Sequence, residues 1–170
     1  MEELKVIGVE SGSLLVASEE GTRYRVAIDD VLQSRLRQSS PDPGAVRNLF
    51  EQARAIAGER FWCGHFHDTR GLALANVYAA METGVARFDA TLAGIGGCPH
   101  APGASGNASS EDLAFMLASM GIDTGIDLAK LLALRAKVAD WLAGEALHGT
   151  LWRAGLPKTF DRSAASAATA

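Results

Sequence analysis

The chain has 170 residues, 48% of them hydrophobic and 21% charged, proportions that fit a globular protein with one core or two small ones. With 20 acidic against 16 basic residues the formal net charge is -4, so the charge balance favours neither nucleic acid nor an anionic membrane surface as partner. The opening M-E-E-L-K has no apolar secretory core and no run of 18 apolar residues follows, so no membrane partner and a cytoplasmic location are expected. Cys63 and Cys98 do not suggest a disulfide scaffold.

Three short strands are predicted in residues 3 to 28. Leu4, Val6, Ile7 and Val9 form the first, Leu14 to Val16 lie in the second, and Tyr24, Val26 and Ile28 alternate in the third. Ser11-Gly12 and Glu19-Glu20-Gly21 are the turn signals between them. Asp29 or Asp30 can cap a short helix holding Val31, Leu32 and Leu36. Residues 1–36 thus form a small β-meander with a helix, with little apolar surface of its own.

Residues 37–44, R-Q-S-S-P-D-P-G, read as a linker. A helix is expected over Ala45 to Ala57, with Val46, Leu49, Phe50, Ala53 and Ile56 on its apolar face. Phe61 to Phe66 reads as a strand. Leu72 to Thr83 reads as a helix with Leu74, Val77, Tyr78 and Met81 on one side, ended by Gly84. Val85 to Asp89 is the next strand, followed by a glycine-rich loop over 92–107. Ser109 or Ser110 caps a helix with Glu111 and Asp112 in its first turn. Ile122 to Ile126 is a third extended piece, and Asp127 caps a last helix that reaches Leu142 or Leu147. Alternating strands and helices argue for an α/β fold with about three parallel βα units, a partial (β/α) barrel of the TIM type over residues 45–160. Residues 161–170, D-R-S-A-A-S-A-A-T-A, read as a disordered tail.

The residues with chemistry cluster around the second half of that pattern. His65 and His67 are two apart at the end of a strand, so period-two alternation puts both on one face, with Cys63 below them. Two imidazoles suit a divalent cation such as Mg²⁺ or Mn²⁺ once oxygen ligands join. Asn107 can add a carbonyl oxygen, although a carboxylate ligand would be expected as well. Asp68 is better placed as an outer hydrogen-bond acceptor or a helix cap. The plain alternative is a pair of ordinary strand histidines and a turn asparagine. Cys98, after Gly96-Gly97, could serve as a general acid or base beside a cation, or be a small buried hydrophobe. Asp89 could be catalytic or cap the loop, Arg70 reads as a solvated loop charge, and His100 as loop filling. Trp62, Phe66 and Phe88 read as core, and Trp141 and Trp152 as helix-face or tail-docking residues.

Two motifs carry a family resemblance. His65 to Asn76, H-F-H-D-T-R-G-L-A-L-A-N, and Gly94 to Asn107, G-I-G-G-C-P-H-A-P-G-A-S-G-N, are followed by E-D-L at 111–113 and by G-L-P-K-T-F at 155–160. From about Val46 to Phe160 the chain resembles the C-terminal part of 3-hydroxy-3-methylglutaryl-CoA lyase. The cysteine loop favours the lyase over the related condensing synthases. The resemblance implies a (β/α)8 barrel that cleaves its acyl-CoA substrate into acetyl-CoA and acetoacetate. It implies His65, His67 and Asn107 as ligands of Mg²⁺ or Mn²⁺, and Cys98 on a mobile loop as a proton-transfer residue. Residues 1–36, through L-x-V-x-G and E-E-G-T-R-Y-R-V-A-I-D-D, weakly resemble the N-terminal domain of an actinobacterial septum-associated family.

The family's first strand carries an Arg-Asp pair that supplies a carboxylate ligand and a substrate contact, and residues 1–45 hold no matching R-D-G or D-G-x-R. Three readings follow. The chain is a lyase-like fragment or fusion, inactive alone; or it is one half of a split lyase whose partner chain supplies the missing strands; or it is a non-catalytic module that self-associates through its uncovered sheet face.

Overall fold

The computed structural model describes residues 5–10, 13–17, 23–27, 42–58, 61, 63–97, 105–158 and 160, with side chains from residue 42 onward. The expected helix over residues 29–36, most of the linker, Trp62, Cys98, His100 and the tail 161–170 lie outside the described residues.

The predicted meander is present. β1 (Lys5–Glu10), β2 (Ser13–Ala17) and β3 (Arg23–Ala27) form an antiparallel sheet in the order β1-β2-β3. Ser13 lies opposite Ala27 and Ala17 opposite Arg23, while the β1–β2 register slips by a bulge between Val6 and Gly8.

The expected linker gives way to helix two residues early. α1 (Pro43–Ala57) starts at Pro43 because the Asp42 side chain accepts from the backbone N–H of Gly44 and Ala45 at 2.8 and 3.0 Å. Proline at the first helical position forfeits only an N–H that would be unpaired there anyway. α1 buries Val46 and Phe50, but Ile56, expected on the same face, is 68% exposed. The helix is anchored to α2 (Ala73–Glu82) by an Arg47–Glu82 ion pair and by Arg54, which donates to the Thr83 carbonyl at the end of α2.

The buried residues of α2 are Ala73, Asn76, Val77 and Ala80, spaced i, i+3, i+4, i+7, together with Ala79 beside them. Tyr78, expected inside, is 47% exposed, since small residues occupy the side of close approach. β4 (Gly64–His65) and β5 (Phe88–Asp89) are parallel, with Gly64 opposite Phe88 and His65 opposite Asp89. α2 is the crossover such a pair requires. Both strands are shorter than the apolar runs that predict them.

Beyond β5 a 3₁₀ turn, Leu92–Gly94, leads into the glycine loop, and α3 (Ser110–Ser119) follows, capped by Ser109, one of the two candidate serines. The third predicted strand is not formed: residues 122–126 join no sheet, and Ile122 and Ile126 are 37% and 49% exposed. The described βα part therefore holds a two-stranded parallel sheet, not three βα units. α4 (Leu128–Trp141) is capped by Asp127, whose side chain accepts from Ala129 and Lys130 N–H, and α5 (Leu151–Ala154) is the last helix among the described residues.

The main core sits under the sheet. Phe50 meets Phe61 edge-on at 5.1 Å and stacks on Phe66 at 5.5 Å, with Val77, Ala80, Val85 and Leu113 around them. A second cluster joins Ala114 of α3, Leu128 of α4 and Leu151 of α5. Among the described residues no helix is long and apolar enough to cross a membrane.

Candidate functional site

The end of β4 carries the two histidines because the residue between them is pulled the other way. Phe66 is only 8% exposed, packed against Phe50 and Phe88, and strand alternation then turns His65 and His67 outward. Their rings lie 5.1 Å apart, inclined at 72°. Cys63 is half-buried and carries a free thiol.

The chain returning from the glycine loop lies against the same strand end. His67 and Asn107 face each other in an isolated antiparallel bridge. The Ala108 N–H donates to the Phe66 carbonyl at 3.0 Å and the Asp68 N–H to the Gly106 carbonyl at 2.9 Å. Bonds flanking a pair in this way mark the close, non-hydrogen-bonded type, whose side chains share one face. The Asn107 amide donates through Nδ2 to the Ile95 carbonyl at 2.9 Å, so Oδ1 is the atom kept for another partner. Glycine is required where these segments cross: a methyl group at Gly106 would run into the Gly96 carbonyl and sit 2.6 Å from that of Gly94.

Asp89, at the end of β5, binds His65 through a short contact between Oδ1 and Nδ1. A carboxylate on one imidazole nitrogen fixes the ring and its tautomer and leaves Nε2 as the free ligating atom. For His67, partial desolvation pushes the imidazole below its ordinary pKa, and the neighbouring His65 adds to this. The neutral ring, the form that ligates a metal, is therefore favoured.

Asp68 acts as a helix-start acceptor: its Oδ1 takes the Ala73 N–H at 2.9 Å, and its carbonyl accepts from Ser105 Oγ. Arg70 is exposed, as expected. His65, His67 and Asn107 thus come together at one rim, while Cys98 and His100 lie outside the described residues.

The donor set has the chemistry of a hard-to-intermediate divalent site, with two neutral imidazole nitrogens and one amide oxygen. It brings no negative charge of its own. Among the described residues no group of three or more His, Cys, Asp or Glu side chains could hold a metal ion. The residues present fit part of a coordination shell that a carboxylate from elsewhere would complete.

Sequence reasoning underrated two acidic residues. Glu111 and Asp112 read as first-turn charges of a helix, but both reach out of α3. Glu111 accepts the Ala93 N–H at 3.0 Å, and Asp112 accepts the N–H of Thr150 at 2.8 Å and of Leu151 at 2.7 Å. No local spacing signals either role, since the partners lie 18 and 38 or more residues away.

Comparison with known proteins agrees with the motifs. The HMGL-like family matches residues 41–138. A hydroxymethylglutaryl-CoA lyase of Pseudomonas mevalonii is 40% identical over 119 residues, 70% of this chain and 38% of that protein. One from Bacillus subtilis is 51% identical over 101 residues, 59% of this chain and 32% of that protein. Among solved structures, an HMG-CoA lyase from A. baumannii in complex with coenzyme A and 3-methylmalate superposes with a TM-score of 0.64 at 42% identity, covering 70% of this chain and 39% of the other. The B. subtilis lyase gives 0.64 at 37% identity, over 69% and 39%. The chain thus spans less than two fifths of the length of these lyases. With the family match covering more than half of its residues, the chain belongs to the HMGL-like family.

Proposed function

We propose that residues 45–160 are a lyase-type partial (β/α) barrel that contributes His65, His67 and Asn107 to a Mg²⁺ or Mn²⁺ site, and that the polypeptide does not cleave 3-hydroxy-3-methylglutaryl-CoA alone. The supporting observation is the convergence of these side chains: two imidazoles 5.1 Å apart, with Asn107 paired opposite His67. Inactivity of the isolated chain is inferred from a donor set that is entirely neutral. An acyl-CoA substrate is inferred from the relatives, one of which is described with coenzyme A bound. The same reading puts the chain in the cytoplasm.

A divalent cation held there would supply Lewis acidity toward the substrate's oxygens. The chain's own residues have separate tasks. Asp89 orients His65, partial desolvation keeps His67 neutral, and Ile95 turns the Asn107 amide so that its oxygen is available. Cys98, by its place in the family motif, would protonate the departing acetyl-CoA enolate.

A second reading, one half of a split lyase, is favoured by a groove of about 990 Å³ along β5 and α3. Val85, Phe88, Leu113, Leu117, Ile122 and Ile126 line it, and β5 has a strand neighbour on one side only among the described residues. An open edge beside apolar walls suits an added strand, from a partner chain or from a second copy in a homo-oligomer.

The test is titration of wild type and of the His65→Ala/His67→Ala double variant with Mg²⁺, Mn²⁺ and Zn²⁺. Selective binding lost in the variant supports the site, and equal weak binding by both removes it. Acetoacetate release by the purified chain with Mg²⁺, abolished by C98A, would overturn the inactivity. Gel filtration separates monomer from assembly.

A further inference from the structure

The costliest group in the interior lies beside the loop, not in the core. Arg135 and Glu111 are each 1% exposed, with Nε 3.3 Å from Oε1. The Arg135 Nε, Nη1 and Nη2 atoms make no hydrogen bond, and the guanidinium lies 4.6 Å over the Trp152 ring. A buried charge so poorly satisfied is weak evidence for stability and calls for another explanation.

Its surroundings supply one. Both Glu111 oxygens lie 3.0 Å from the Ala93 N–H, and Oε2 accepts from Ser109 Oγ at 2.8 Å. Ala93 is fully buried and has a φ of 59°, the positive non-glycine φ among the described residues, a conformation that persists only where its surroundings impose it. Its carbonyl accepts the His148 N–H at 2.8 Å, so both of its backbone groups are held. Two residues later the Ile95 carbonyl accepts from Thr91 Oγ1 at 2.7 Å and from Asn107 Nδ2 at 2.9 Å.

We propose that Glu111 and Arg135 are positioning residues for Asn107, fixing through Ala93 the turn against which the Asn107 amide is aimed. Arg135 balances the Glu111 charge in a dry setting, and Glu111 clamps the Ala93 N–H. The clamped turn presents the Ile95 carbonyl, and that carbonyl orients the amide. Through Arg135 of α4, Trp152 of α5 and His148 between them, the C-terminal segment thereby sets the geometry of a rim residue. The inference rests on the reading of Asn107 as a cation ligand, but its test does not.

The experiment uses the full chain and the variants Arg135→Met, Arg135→Lys, Glu111→Gln and Val138→Ala. Amide exchange at Ala93 and the Asn107 side-chain amide resonances are followed by NMR without metal, and Mn²⁺ affinity is measured separately. In Arg135→Met and Glu111→Gln, Ala93 exchange should rise and Mn²⁺ affinity fall by about tenfold or more, the range for groups that orient a ligand. The Asn107 amide resonances should move to those of a free amide. Arg135→Lys, which keeps the charge, should recover part of each change. Val138→Ala loosens the same helix and should leave both signals in place. Unchanged Ala93 and Asn107 signals in folded Arg135→Met overturn the proposal, as does an equal response to Val138→Ala. If Arg135→Met does not fold, the near-isosteric Glu111→Gln decides on the same criteria. If wild type binds no Mn²⁺, the ligand reading of Asn107 fails, while the metal-free signals still decide the positioning.

Discussion

Replacing Phe66 by alanine should damage the rim from below. The ring is 8% exposed, stacks on Phe50 at 5.5 Å and lies 6.4 Å from Phe88. Burying a phenyl ring removes on the order of 150–250 Å² from water, and at about 25 cal/mol per Å² this is roughly 4–6 kcal/mol. Measured Phe→Ala losses of about 3–5 kcal/mol agree, and partial collapse of the cavity sets the lower end. Against a total stability of about 5–15 kcal/mol for a domain, the variant should be marginal at 37 °C. Urea unfolding followed by circular dichroism should show a midpoint lowered by about 1–5 M, taking a slope of about 1–3 kcal/mol/M. Phe66→Leu, which refills most of the volume, should recover most of the loss. Because Phe66 holds the strand between the histidines, His65 should also lose its Asp89 contact, visible as a shift of its Nδ1 resonance. A loss under about 1 kcal/mol, with that resonance unmoved, would refute the view that this ring anchors the strand end.

Other consequences are equally direct. Gly106→Ala should lower stability by about 1–3 kcal/mol by thermal melting, because the added methyl group meets two backbone carbonyls that cannot rotate away. Asp89→Asn should weaken Mn²⁺ binding about 10–100-fold with little change in unfolding midpoint, since the exposed side chain orients His65 without supporting the core. His67 should titrate below the roughly 6.5 of a free imidazole. Its folded state binds protons less readily than its unfolded state. The stability it contributes is therefore complete above the unfolded pKa and lost as pH falls through the folded one, so the urea midpoint of wild type should drop on acidification more than that of His67→Asn.

Local signals recovered most of the helical framework. Capping by Ser109, one of two candidate serines, and by Asp127 is written in adjacent residues and forms, whereas Asp42 reads as linker and caps a helix that starts two residues early. The pairing of His65 with His67 follows from alternation alone. Strand content did not survive so well, because a short apolar run becomes a strand only if a neighbour supplies the ladder. Val85 to Asp89 has β4 beside its last two residues, whereas Ile122 to Ile126 has no strand beside it among the described residues and stays out of a sheet. Tyr78 and Ile56 were misplaced for a related reason: periodicity marks an apolar face, but packing decides how much of it is used. Arg135 was invisible because its partner Glu111 is remote in sequence, and a charge on a helix normally reads as solvated.

The Asp112 carboxylate holds residues 150 and 151 by main-chain N–H groups, with the Thr150 hydroxyl as an accessory at 3.2 Å. A tether of this type is indifferent to which side chains those positions carry. The junction between α3 and the final helix should thus tolerate mutational drift at 150, while Leu151, 5% exposed in the second cluster, is constrained by its packing and not by the tether. Proline is the exception, since it deletes the very hydrogen the carboxylate grips.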